Sequence, residues 1–110
     1  MSTLIFPSEL AQRAIIAFGD YHWKRQDVLV VIDFLERKQK PVVGVELFRK
    51  EGEKWRTIAL STYDATLQSY DDIAPEKKTD YIAFACSLAR KFISEVASGE
   101  SEYFLLTWLD

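Results

Sequence analysis

A proline at position 41 separates two apolar segments of different period, and that junction constrains the fold of this chain more than any other feature. On its N-terminal side Val28, Val31, Ile32 and Leu35 recur at the i, i+3, i+4, i+7 spacing of one helix face, which predicts a helix from Lys24 onward. Asp27 lies near the start of this helix and Arg37, Lys38 and Lys40 near its end, the charge order that the helix dipole favours. Pro41 lacks an N–H and crowds the preceding turn, so the helix stops there. Beyond it VVGVELF, residues 42–48, is β-rich. Its alternation puts Val43, Val45 and Leu47 on one face and Val42, Gly44, Glu46 and Phe48 on the other. A strand apolar on both faces belongs in the interior of its sheet.

The flanking segments extend this helix and strand into a small α+β order. Ser8 ahead of Glu9, Leu10, Ala14, Ile15 and Phe18 predicts a helix over about 8–18, closed by Gly19. Tyr21, His22 and Trp23 form a short aromatic connector. The polar run RKEGEK turns around Gly52, and Trp55–Leu60 returns as an antiparallel strand. Apolar periodicity lapses between Ser61 and Thr79, the longest irregular stretch. A long helix beyond Pro75 carries Tyr81, Ala85, Leu88, Phe92 and Val96 as its stripe, flanked by Ile82, Ala89 and Ile93, with Gly99 at its end. Residues 102–109 supply a last strand. The expectation is one domain over residues 1–110, with a small, mainly antiparallel sheet and helices on one face, in the order α-α-β-β-α-β.

Length and charge narrow the function. A chain of 110 residues supports one core, and 48% hydrophobic with 14% aromatic residues is enough apolar matter to order it. A net charge of -3 and a pI near 5.2 argue against a protein that works by neutralising phosphates, so nucleic acid is not expected as a partner. The N-terminus lacks the layout of a secretory signal, and no apolar run approaches the roughly 18 residues that span a bilayer. With one cysteine, Cys86, no intramolecular disulfide forms, and a reducing cytoplasm is the expected location.

The residues offer little catalytic machinery. His22 is the sole histidine, so no zinc site of ordinary composition is available, and it reads as a packed histidine among aromatic neighbours. Cys86, between Ala85 and Ser87, reads as a small buried hydrophobe. The four glycines form no phosphate-binding or nucleophile-elbow pattern. Neither an enzyme nor a cofactor is expected. Glu46 is more informative, because a carboxylate inside an apolar strand must be paired, hydrogen-bonded or turned to solvent or a partner. The stretch holding Tyr63, Asp64, Tyr70, Asp71 and Asp72 combines tyrosines, which supply contact area, with carboxylates, which steer and pair with basic groups. A solvated loop and a docking surface are both open readings of it. Also open are a small enzyme or ligand-binding domain using Glu46, His22 and Asp64, and a homo-oligomeric module, a homodimer included, using an exposed strand edge.

The segment VLVVIDFLERKQKPVVGVELF, followed by STYDATLQSY and the helix YIAFACSLARKFI, resembles the Immunity protein 40 family of bacterial toxin-immunity proteins over about residues 18–109. Gly44-Val45-Glu46 stands where that family has two glycines and an aspartate, and Tyr63-Asp64 near the place of an aromatic pair led by tryptophan. The resemblance implies a cytoplasmic protein that binds and neutralises a cognate toxin domain, often a nuclease, without chemistry. The contact residues expected for such binding, from the acid in the strand and the acidic-aromatic stretch, are Glu46, Tyr63, Asp64, Tyr70, Asp71 and Asp72.

Overall fold

The computed structural model describes residues 5–62, 72–96 and 99–109. Its elements are α1 (Ser8–Arg13), β1 (Ile15–Ala17), β2 (Asp20–His22), α2 (Arg25–Arg37), β3 (Val42–Glu51), β4 (Lys54–Thr62), α3 (Pro75–Glu95) and β5 (Glu102–Trp108). β3 is the centre of a three-stranded antiparallel sheet of order β4-β3-β5, and β1 and β2 form a separate hairpin. The hairpin is joined to the sheet through Trp23, whose backbone bridges to Phe104 of β5. This is the α+β architecture that the alternation of periods predicts.

One face of the sheet carries the core. Val45 and Leu47 on β3 stand beside Leu106 and Phe104 on β5, and all four are buried. Val28, Val31, Ile32 and Leu35 of α2 close over them, together with Ile82, Cys86, Ala89 and Ile93 of α3. Each fully buried aliphatic side chain here contributes about 1.5–3 kcal/mol relative to exposure. At the surface Arg90 of α3 ties the two helices, its Nη2 donating to Asp33 Oδ1 at 2.8 Å and lying 2.7 Å from Glu36 Oε1. Arg25, at the first position of α2, donates to the carbonyl of Val96, which the end of α3 leaves without a helical partner.

Two bulges set the faces of the sheet. β3 shifts register against β5 between Val42 and Gly44, so Val42 pairs with Trp108 and joins the buried face, contrary to simple alternation. β4 shifts against β3 between Leu47 and Phe48, where Ile58 is the extra residue. Without that insertion Leu60 would turn toward the helices. With it, Leu60 pairs with Glu46 on the opposite face, which is helix-free among the described residues.

The N-terminal third departs from expectation. The helix predicted over 8–18 ends at Arg13, and residues 15–17 pair instead with Asp20–His22, so the aromatic connector is the second strand of a hairpin. Ala14, Ile15 and Phe18 have helical spacing, but the antiparallel partner that Tyr21 and His22 offer satisfies the same backbone while Trp23 is buried against the core. The order is therefore α-β-β-α-β-β-α-β. The stripe of α3 is also rotated. Ile82, Ala85, Cys86, Ala89 and Ile93 face inward, whereas Leu88 and Phe92 lie toward one side and remain partly accessible. Finally, α3 stops at Glu95, short of Gly99.

Candidate functional site

The helix-free face of the sheet is built in two zones. The first is an aromatic cluster. Because Trp23 pairs with Phe104 on the core side, alternation turns His22 and Lys24 to the opposite face. There the His22 ring lies 5.4 Å from Phe48 and 4.7 Å from Trp55, and Trp55 lies 5.7 Å from Tyr103. The Lys24 ammonium sits 5.8 Å from the Tyr103 ring centre, within reach of a cation–π contact. His22 is only 1% exposed, with Nδ1 3.2 Å from the carbonyl oxygen of Asp20. It is the packed aromatic-neighbour histidine that the sequence suggests, and no carboxylate among the described residues is bonded to it.

The second zone is centred on Glu46. Its cross-strand neighbours are Leu60 on β4 and Leu105 on β5. Glu46 is half-buried, Leu105 likewise, and Leu60 is 59% exposed. Glu46 makes no ion pair or side-chain hydrogen bond with any described residue. A carboxylate flanked by two leucines thus keeps access to solvent on a face that none of the described helices covers. A basic group arriving from outside would meet it in surroundings less polar than water, where a charge-assisted hydrogen bond is strong.

Of the other candidate contact residues, Asp72 is exposed in the short turn that leads into α3. Tyr63, Asp64, Tyr70 and Asp71 lie outside the described residues, so the combination of Glu46, His22 and Asp64 does too. Described contacts do not join Asp72 to Glu46. Cys86 is buried between α3 and the sheet, and burial pushes its thiol above the ordinary value. That is the opposite of what a nucleophilic thiol needs.

A surface that the sequence did not disclose lies at the tip of the β1–β2 hairpin. Ala17 and Asp20 pair across a two-residue turn in which Phe18 has φ 55° and Gly19 φ 79°. Both positive values identify the turn as type I′, where glycine or asparagine is the usual first residue. A bulky aromatic in the left-handed region carries strain on the order of 1 kcal/mol. Phe18 is 81% exposed, so packing within the described chain does not offset that strain. The signal available in the sequence was Phe18-Gly19 between the short runs IIA and DYH.

A family model described as Immunity protein 40 matches residues 11–108. No curated protein and no solved structure matches the chain. The matched span takes in the hairpin, the whole sheet and both long helices.

Proposed function

Starting from the Immunity protein 40 family, to which this chain belongs, we propose that it binds a cognate bacterial toxin domain and neutralises it by occupying the toxin's surface, without catalysis. The observation that carries the proposal is Glu46, a carboxylate held between Leu60 and Leu105 on the helix-free face with no ion partner among the described residues. An arginine or lysine of the toxin pairs with Glu46, and the leucines exclude water around that pair. Asp72 adds negative potential, and Tyr63, Asp64, Tyr70 and Asp71 complete the proposed contact set. A nuclease is the class of toxin best suited to this surface, since its nucleic-acid groove is basic and the chain carries a net charge of -3. The place of action is the cytoplasm, and no described helix is long and apolar enough to cross a membrane.

Co-expression tests the proposal. Cells producing the toxic domain encoded beside this chain should survive when the chain is present and die when it is absent. Equal killing in both conditions would contradict it.

A further inference from the structure

Ile5, Ile16 and Phe18 are the most exposed large apolar side chains among the described residues, at 85%, 67% and 81%. All three belong to the β1–β2 hairpin region. Ile16 pairs with Tyr21, and Ile5 lines the same groove as Gly19, Asp20 and Tyr21. The hairpin is also firmly based, since Trp23 is locked to β5 and its indole Nε1 donates to the carbonyl of Leu10 at 2.8 Å. A rigid base therefore holds an aromatic ring outward on a turn whose conformation that residue disfavours. Strain maintained without an internal return points to a return made elsewhere.

We infer that the hairpin tip is a second docking element, in which Phe18 inserts into an apolar socket of the cognate toxin domain and Asp20 pairs with a basic side chain at the socket's rim. Charge complementarity selects this occupant. Asp20 is exposed, pairs with Ala17 at the base of the turn that carries Phe18, and makes no ion pair among the described residues. A basic rim suits the same class of toxin surface as Glu46 does, and an aromatic anchor with a charged group at its edge matches the apolar centre and polar rim of an interface. The inference rests on the immunity reading, since it takes the toxin as partner.

The test is Phe18→Asn, which gives the turn its preferred Asn-Gly sequence, with Phe18→Tyr as the variant that retains the ring. Phe18→Asn should raise the thermal midpoint by about 2–6 °C, because strain is relieved, while weakening binding of the purified toxin domain about tenfold or more. Phe18→Tyr should bind within a few-fold of wild type. Opposed signs for stability and affinity are the signature, since a purely structural residue moves both together. Wild-type binding that Phe18→Asn leaves unchanged overturns this inference alone. Absence of wild-type binding overturns the immunity reading and this inference with it. A wild-type dimer in size-exclusion chromatography that Phe18→Asn dissociates assigns the tip to a second copy of the chain, and also overturns it.

Discussion

Trp23 and Phe104 exchange both backbone hydrogen bonds, with Trp23 N donating to Phe104 O at 2.9 Å and Phe104 N to Trp23 O at 2.6 Å. The pair makes the end of β2 a neighbour of β5, so the hairpin and the sheet share one core. Both side chains are buried on the side that faces α2 and α3. The direction in which the hairpin tip points is thereby set by the sheet.

Phe104→Ala should accordingly cost about 3–5 kcal/mol, the range for removing a buried aromatic ring. Urea unfolding measures it, as a lower midpoint with an unchanged slope. Hydrogen exchange should show the amide of Trp23 losing protection in the same variant, because its acceptor is the carbonyl of residue 104.

The bridge from Arg90 to Asp33 and Glu36 should contribute far less. Burial opposes the charge of Arg90, but hydrogen bonds to the two carboxylates outweigh it and hold the guanidinium above its ordinary value. The groups are a third or more exposed, so water and salt screen them. Arg90→Met should lower stability by about 1 kcal/mol or less, and the difference should shrink in 1 M salt in paired denaturation curves.

Cys86 predicts a loss of stability at alkaline pH. Its thiol is pushed above the ordinary 9.0, chiefly by burial. Above pH 9.0 the unfolded chain releases this proton while the folded chain retains it, so the folded state binds more protons and stability falls as pH rises. The contribution is fully present below that pH. In Cys86→Ala this component disappears, and stability between pH 9 and 10 should decline less steeply by about 1 kcal/mol per pH unit at most, as read from unfolding midpoints.

How much of this was legible in the sequence depended on whether a single period had a single meaning. For α2 it did, because Val28, Val31, Ile32 and Leu35 are the helix's only apolar stripe of that spacing and Pro41 ends it. For α3 it did not. Tyr81, Leu88 and Phe92 and, one position on, Ile82, Ala89 and Ile93 make two adjacent apolar stripes, and the sheet decides which is buried. At 14–18 the local spacing favours a helix, and only the tertiary partner at Tyr21 and His22 makes it a strand. Glu46 could be placed by alternation within β3. Its neighbour Leu60 could not, because Ile58 inserts an extra residue into β4 and reverses the faces beyond it. Phe18 escaped for a related reason, since a left-handed aromatic is a property of the turn rather than of composition.

The central claim, that Glu46 anchors a toxin on the helix-free face, is tested most directly by the dissociation constant of the cognate toxin domain for wild type and for Glu46→Lys. Reversing a charge that pairs within an interface costs about 2–5 kcal/mol, so the variant should bind at least about 30-fold more weakly while its unfolding midpoint stays close to that of wild type. Wild-type affinity retained by Glu46→Lys would contradict the account.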